Sequence, residues 1–593
     1  MTRLADFTIH TLTDLGISQA FLVTGGAAMH LNDALAGEKR IRVVCHHHEQ
    51  AAAYAAEGYG HMTGRPALLM VTAGPGAINA MSGVFGAYVD SIPMVVLSGQ
   101  SKTELLRSTY AFEHLRQLGE QEADIISMVR PITKYVRQIT HPERIGFELQ
   151  KAFHEAVSGR PGPVWLEIPL DIQAVDINPE SLPVFHPCHI SEALSHNDVT
   201  TIVEQLKNAV RPLLVIGPDI SALLHSRVRL LAEQIGCPVV GAGAEDTILN
   251  DHPLFAGRLG TLGTRAGNIA VQNADLILFL GMRSHLGLVT FNWKEMGRNA
   301  HKIVLDEDPN EFEKPCSLAD EGYCCSLKNS MEALIRQTAG LPENRWQEWK
   351  AWCKRCREAL PSLRAGMRCC TKDGRINPYW FTEELIRRLN ADDCIVMSNA
   401  SSSIIPLQAG AFRGAQRLFS NHGNGAMGFA LPAAIGAGMG HAAGRIICLE
   451  GDGSIMMNIQ ELQTIAQHQL PILVFVFNNN GYASIRQTQQ NFFGRELGAS
   501  PLSGISFPDF TRVAESFGLP AFRLTGDDFG VQLDTLLQQK GPLLVDVLLD
   551  PAQPFEPKVV SRRMPDGTMH AASPENMSPF LESEELKTYL IPR

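Results

Sequence analysis

Two polar clusters in the last third of the chain have the residue types and spacing to hold a divalent cation. The apolar run Arg445–Glu450 leads into Gly451-Asp452-Gly453-Ser454, and the run Ile472–Phe477 leads into Asn478-Asn479-Asn480. Asp452 and Asn479 are 27 residues apart. That is the length of one strand–helix–strand crossover, which puts both at the same edge of one parallel sheet. A carboxylate, an amide oxygen and a nearby backbone carbonyl are the hard oxygen donors that Mg2+ takes, and diphosphate oxygens would complete the octahedron. Two other glycine-rich turns, Gly74-Pro-Gly76 and Gly260-Thr-Leu-Gly263, match neither the dinucleotide fingerprint nor the P-loop pattern. His46, His47 and His48 precede Glu49. Three consecutive side chains do not converge on one ion, so they read as pocket lining, with His48 facing the site. Cys353 and Cys356 have CxxC spacing inside a helical pattern. A zinc site needs four converging ligands, so these read as ordinary thiols.

The elements that must position these residues are short apolar runs alternating with helical patterns. Ala67–Thr72, Met94–Ser98, Val164–Ile168, Pro212–Ile216, Leu276–Leu280, Ile303–Asp306, Cys394–Ser398, Ile446–Glu450, Ile472–Phe477 and Leu543–Leu549 are continuously apolar. That is the mark of strands covered on both faces. Asn458–His468 carries Ile459, Leu462, Ile465 and Ala466 on one helical face. The fold class is α/β, with three doubly wound parallel-sheet units. The boundaries expected are 1–173, a middle unit over 191–340, a helical connector over 341–375, a third unit over 376–555 and a tail rich in Pro, Ser and Glu over 556–593. A Pro-containing linker covers Ala174–His196, and no internal repeat is visible.

Bulk properties exclude several classes. A chain of 593 residues exceeds one core. The net charge is −11 with no basic tract, which argues against nucleic acid as a partner. No apolar run is long enough to span a membrane. The N-terminus lacks a signal-peptide core, and twelve cysteines show no scaffold spacing, so a cytoplasmic protein with reduced thiols is expected.

GDGS, then a helix, a strand and Asn-Asn, resembles the motif that binds thiamine diphosphate (ThDP). The resemblance runs to about Asp550 and is greatest to the acetohydroxyacid (acetolactate) synthase group. It also rests on Val23-Thr-Gly-Gly-Ala27, His48-Glu-Gln-Ala-Ala-Ala53, Ser91-Ile-Pro93, Ser98-Gly-Gln100 and Gly425-Ala-Met-Gly-Phe-Ala-Leu-Pro-Ala-Ala-Ile435. It implies that Asp452, Asn479 and the carbonyl of Gly481 hold Mg2+. It implies that Glu49 bonds N1' of the aminopyrimidine from an apolar pocket that raises its pKa, favouring the imino form that deprotonates C2. Gly425 would accept from the 4'-amino group through its carbonyl, and Met427 would prop the two rings into a V. Gly25, Gly26, His48, Gly74, Asn79, Gly453, Ser454 and Tyr482 would also touch the cofactor, and Gln100 would donate to the intermediate or acceptor. Active sites would lie between subunits of a homodimer or homotetramer. In the middle unit, Arg258 and Gly260 of the glycine-rich loop, Arg283 and Asp306 have counterparts at the family's FAD site. The family's acidic-basic run after the arginine is replaced by Ser284-His-Leu-Gly287.

The acceptor pocket departs from the family pattern. Glu120 stands where the group has a phenylalanine before a Gln-Glu pair, here Gln121-Glu122. Thr488 stands in place of a tryptophan between two glutamines. A carboxylate and a hydroxyl in place of two large apolar surfaces disfavour a second anionic 2-keto acid. The implied reaction is ThDP- and Mg2+-dependent decarboxylation of a 2-keto acid, pyruvate by resemblance, with transfer of the two-carbon unit to a carbonyl acceptor. The segments Thr24–His30, His47–Gln50 and Ser484–Phe493 resemble the branch that acetylates keto-deoxysugar nucleotides. Acetolactate synthesis from two 2-keto acids stays open as an alternative, as does a ThDP-dependent decarboxylase or lyase without ligation.

Overall fold

The computed structural model describes residues 1–110, 112, 114–187, 192–342, 344–441, 444–563, 566–567 and 569–591. The boundary expected at residue 191 lies outside the described residues. Three six-stranded sheets, parallel throughout, follow one another along the chain. The first has strands β1 (Gln19–Leu22), β2 (Arg42–Cys45), β3 (Ala67–Val71), β4 (Met94–Gln100), β5 (Tyr135–Gln138) and β6 (Pro163–Pro169), in spatial order β2-β1-β3-β4-β6-β5. The second has β7 (Pro212–Ile216), β8 (Val239–Gly241), β9 (Phe255–Arg258), β10 (Leu276–Leu280), β11 (His301–Asp306) and β12 (Glu321–Cys324), in order β9-β8-β7-β10-β11-β12. The third has β13 (Cys394–Met397), β14 (Arg417–Phe419), β15 (Ile446–Gly451), β16 (Ile472–Asn478), β17 (Ala521–Leu524) and β18 (Leu543–Leu548), in order β14-β13-β15-β16-β18-β17. The ten apolar runs in the sequence are all strands, and the first and third sheets share one topology that no sequence repeat announces.

The first and third units share a core. Helix α1 (Glu49–Thr63) lies against helix α5 (Ala430–Gly440), with α2 (Pro75–Val89) beside α1. Glycine makes the approach possible: a Cβ at Gly58 would fall 2.3 Å from the Ala433 oxygen, and one at Gly436 would fall 1.8 Å from the Ala55 oxygen. Polar latches reinforce the contact. His46 Nδ1 lies 2.8 Å from Glu461 Oε2 on α6 (Glu461–His468), and Asn458 donates to Gln50 at 3.1 Å. His46 is therefore a link between units rather than pocket lining, because a buried ring next to a carboxylate is consumed by that bond.

In the middle unit, α3 (Arg265–Asn273) is buried along its whole length. The segment expected as a tail accounts for this. Arg265 donates to the Met577 carbonyl at 2.9 Å, Asn268 to Pro574 at 3.0 Å, and Gln272 to the Glu575 carboxylate at 2.7 Å. Residues 574–577 thus strap the middle unit. The connector helix α4 (Gln347–Ala359) buries Cys353 and Cys356, and burial pushes the Cys356 thiol up to about 12, the behaviour of inert core thiols.

Candidate active site

The third sheet positions Asp452 and Asn479. In the parallel register of β15 and β16, Gly451 pairs with Phe477, so the residues just beyond the two strands stand side by side. Asp452 Oδ1 accepts from the Gly453 amide at 2.7 Å and Oδ2 from the Gly481 amide at 3.0 Å. Asn479 is held by donation to Ser401 Oγ at 3.2 Å, which leaves its buried Oδ1 with no partner among the described residues. Burial pushes the Asp452 carboxyl up to about 7, the direction taken by a carboxylate denied its counter-charge. An unpaired amide oxygen beside a desolvated carboxylate fits a divalent cation with oxygen ligands. The neighbouring Asn478 turns away and donates to Asp546 at 2.9 Å.

These groups open onto a cavity of about 620 Å3, which Gly425, Met427, Gly453, Ser454, Gly481 and Tyr482 also line. The Gly425 carbonyl accepts from Asn399 at 3.0 Å, and Ser454 Oγ accepts from the Gly428 amide at 2.7 Å. A Cβ at Gly453 would fall 2.0 Å from the Tyr482 ring, so the backbone there must be bare. Met427 is 39% exposed. Sequence reasoning missed Ser398, Asn399 and Ser401, which line the same cavity from the turn after β13. The signal was available: Ser-Asn-Ala-Ser follows a buried strand at the edge where ligands bind.

The first sheet gathers a separate group. Glu49 opens α1, its carboxylate accepts from Asn79 at 3.0 Å, and a Cβ at Gly76 would fall 3.0 Å from its Oε1. Gly25 packs on Thr72, whose buried hydroxyl has no partner among the described residues. Gly74 (φ +52) abuts the carbonyl of Gln121, and Gly26 faces open space. His48 caps α1, accepting the Gln50 amide at 3.1 Å through Nδ1. Gln100 is buried with both amide hydrogens in use, donating to the Ala123 carbonyl at 3.0 Å and to Glu167 at 2.9 Å. A bond from Gln100 to a substrate therefore requires one of these to be exchanged. Burial pushes the Glu167 carboxyl up to about 7. Glu120 and Thr488 are exposed; Thr488 donates to Ser484 within its own helix α7 (Ala483–Phe493) at 2.9 Å. No residue of the first sheet lines the 620 Å3 cavity, whose lining runs from Ser398 to Gly498.

The middle-sheet residues do not converge. Arg258 is buried between the Phe255 and Phe412 rings, bonded to Glu245 at 2.7 Å, Asn250 at 3.1 Å and the Leu407 carbonyl at 3.1 Å. The Gly260 loop closes on itself: Gly260 N donates to Asn268, and Thr261 N donates to the Gly287 carbonyl in the segment that departs from the family pattern. Arg283 donates to Asp90 at 2.7 Å. Asp306 is buried and its carboxyl is pushed up to about 7. At the point where strand order reverses, between β7 and β10, a Cβ at Gly217 would fall 2.1 Å from the Gly281 oxygen. The space left there is about 50 Å3, against the roughly 300–1,000 Å3 of a small-ligand pocket. A neighbouring cleft of about 510 Å3 is lined by Glu307, Asp308 and Glu311 together with Lys134, Arg160, Arg283 and Lys314. Of the groups the resemblance assigns to FAD, Arg258 and Gly260 are paired within the chain, whereas Arg283 Nη1 and Asp306 Oδ2 are buried with no partner among the described residues.

Comparison with known proteins agrees with this architecture. The thiamine pyrophosphate enzyme N-terminal TPP binding domain matches residues 2–128, the central domain matches 199–334 and the C-terminal TPP binding domain matches 401–547. The chain is 33% identical over 537 residues to the acetolactate synthase isozyme 3 large subunit of Escherichia coli K12, covering 87% of this chain and 88% of that one. It is 31% identical over 582 residues to the isozyme 2 large subunit of the same organism, covering 97% and 100%. A ThDP-dependent 4-hydroxybenzoylformate decarboxylase of Rhodococcus jostii RHA1 shares the fold, with a TM-score of 0.76 at 24% identity over 93% of this chain and 99% of that one.

Proposed function

The chain belongs to the acetolactate synthase family of thiamine pyrophosphate enzymes and is a ThDP-dependent carboligase; from that premise we propose that it decarboxylates pyruvate and transfers the two-carbon unit to a neutral carbonyl acceptor. The observation that carries the reading is the 620 Å3 cavity, where the Asn479 amide oxygen is unpaired beside a desolvated Asp452. Asp452, Asn479 and the Gly481 carbonyl would hold Mg2+ against a diphosphate. Thiamine diphosphate, when bound, supplies the nucleophilic carbon and the electron sink for loss of CO2.

The chain's own groups supply position and proton control. Glu49 would hold a proton at N1' of the aminopyrimidine, and Asn79 fixes its carboxylate at 3.0 Å. The Gly425 carbonyl would accept from the amino group, and Met427 would lie against the bound rings. Gly25, Gly26, Gly74 and Gly453 keep backbone bare where the cofactor approaches, and His48 sets the start of the helix that carries Glu49. Glu49 and the Asp452 cavity belong to separate groups of residues within one chain, which supports a homodimer whose sites draw one half from each copy. Met427 at the cavity and Ile78, Phe85 and Tyr88 on α2 are exposed apolar groups that a second copy would cover.

The acceptor is proposed from Glu120, Gln121 and Thr488. A carboxylate at 120 repels a second 2-keto acid, and the small Thr488 leaves room for a hydroxyl-bearing ketone such as a keto-deoxysugar nucleotide. The test is product identification after incubation with ThDP, Mg2+ and pyruvate, with and without such a ketone. The outcome expected is slow CO2 release alone and faster release with the ketone. Rapid acetolactate formation from pyruvate alone would overturn the acceptor assignment and leave the carboligase standing.

A further inference from the structure

Where all three units meet, Glu57, His61 and Asp90 come together, and each keeps a buried polar atom without a partner among the described residues. Glu57 and His61 lie one turn apart on α1, and Asp90 caps the C-terminus of α2. One candidate ligand atom from each lies within 4.8 Å of the others, and His61 Nε2 is 3.8 Å from Glu57 Oε1. Glu57 is 0% exposed and Asp90 6%. Glu57 Oε1 accepts from Asn421 at 2.7 Å, and Asp90 Oδ1 accepts from Arg283 at 2.7 Å and from the Gly423 amide at 2.8 Å. Glu57 Oε2, Asp90 Oδ2 and His61 Nε2 have no partner among the described residues. The His61 ring is fixed by stacking on Phe419, with centroids 4.8 Å apart and planes at 10°.

We propose that Glu57, His61 and Asp90 form a site for a transition-metal dication of the zinc class, distinct from the Mg2+ site at Asp452. Two carboxylate oxygens and an imidazole nitrogen are a ligand set that Zn2+ accepts, whereas the nitrogen disfavours Mg2+. Arg283 balances Asp90, which leaves Glu57 without a counter-charge. Burial lowers His61 to about 4, so its ring is neutral and presents a lone pair. A proton shared between the carboxylates leaves the His61 ring nitrogen without a partner, whereas a cation takes one ligand atom from each of the three residues. The 50 Å3 space that His61 and Asp90 line has room for about three or four waters to complete the coordination. Asn421 and His422 stand between this cluster and the large cavity and line it. The cation would brace the turn that leads to Gly425, so its role is positional.

The test is metal content. Untagged protein in ThDP and excess Mg2+ is incubated with Zn2+, gel-filtered and assayed by atomic emission. Wild type and Asp452→Asn are expected to retain about one zinc per chain, and His61→Asn and Glu57→Gln to lose it with unchanged circular dichroism. Replacing zinc by Co2+ in the wild type gives a visible absorption band as a readout that needs no variant. Less than about a tenth of an equivalent in wild type, or zinc content unchanged in folded His61→Asn, would overturn the proposal. The first result would mean that Glu57 and Asp90 share a proton instead.

Discussion

At the carboxyl edge of the third sheet, Asn479 Oδ1 is unpaired and faces a cavity of about 620 Å3. At the same edge of the middle sheet, Arg258 makes three hydrogen bonds between two aromatic rings, and the space beside the strand-order switch is about 50 Å3. Both are doubly wound parallel sheets, and both carry glycine-rich turns after buried strands. The difference lies in the open space beside the strand ends and in the pairing of Arg258, since Arg283 Nη1 and Asp306 Oδ2 at the middle edge are also without a partner among the described residues. An edge that keeps donors and acceptors unsatisfied beside an open cavity, at a cost of about 1–3 kcal/mol each, is held ready for a ligand. A group paired as Arg258 is contributes to stability instead. Glycine patterns alone do not separate the two cases.

The sharpest break in that comparison comes from Glu49→Gln. Removal of a positioned proton carrier is expected to lower turnover by roughly 10^2- to 10^4-fold, with thermal stability unchanged because the Glu49 carboxylate has one bond, to Asn79, to lose. Turnover within a few-fold of wild type would sink the role. Removing Mg2+ with a chelator should abolish activity by release of the diphosphate, and restoring Mg2+ should recover it. For the middle sheet the outcome runs the other way. The purified protein is expected to carry no flavin, and added FAD should leave the melting temperature unmoved. A ligand at a hundred times its Kd would add about 2.7 kcal/mol, so a rise of that order, or stoichiometric flavin after acid extraction, would show that the crevice opens.

Arg258→Ala tests the same edge as a structural element. Truncation leaves Glu245 buried without its partner, and a loss of about 3–5 kcal/mol in unfolding free energy is expected. The measurement is denaturant unfolding, and a change below about 1 kcal/mol would show that the edge is not braced by this arginine. Glu167 gives a pH-dependent counterpart. Its folded pKa, about 7, lies above the usual carboxylate value because of burial. The unfolded chain therefore binds fewer protons between about pH 4.5 and 7, so stability falls as pH rises through that window. Up to about 3 kcal/mol is at stake. Glu167→Gln should flatten this decline, and an unaltered pH profile would refute the assignment.

Much of the fold was legible because both-face burial imposes continuous apolar runs, and all ten such runs are strands. The strands without such a run are short, lie at sheet edges or are half exposed. Arg42–Cys45, Tyr135–Gln138 and Glu321–Cys324 are of this kind, and their polar residues carry no period that separates them from loops. The adjacency of Asp452 and Asn479 was legible because one crossover fixes it. The fate of Arg258 was not, since its partners Glu245, Asn250 and Leu407 lie up to 149 residues away. The strap over α3 was hidden for the same reason: its contacts, to backbone carbonyls and to the Glu575 carboxylate, reach across about 300–310 residues, and composition reads such a segment as a tail.

The smallest effect concerns the acceptor. Thr488 lies on the exposed face of α7 one turn beyond Ser484, which lines the large cavity, and its hydroxyl bonds the Ser484 carbonyl rather than a neighbouring element. Among the described residues no other element bonds that exposed side chain, so it can be enlarged at little cost to the fold. Thr488→Trp would place an apolar surface where a small alkyl keto acid can pack. The gain from one such contact is about 1–3 kcal/mol. The ratio of acetolactate to ketone-derived product is therefore expected to rise about tenfold, with the rate of pyruvate decarboxylation unchanged. If the ratio stays put while Glu120→Phe moves it, selectivity resides on the first-sheet side of the site. If neither moves it, the acceptor binds elsewhere and the neutral-ketone reading falls.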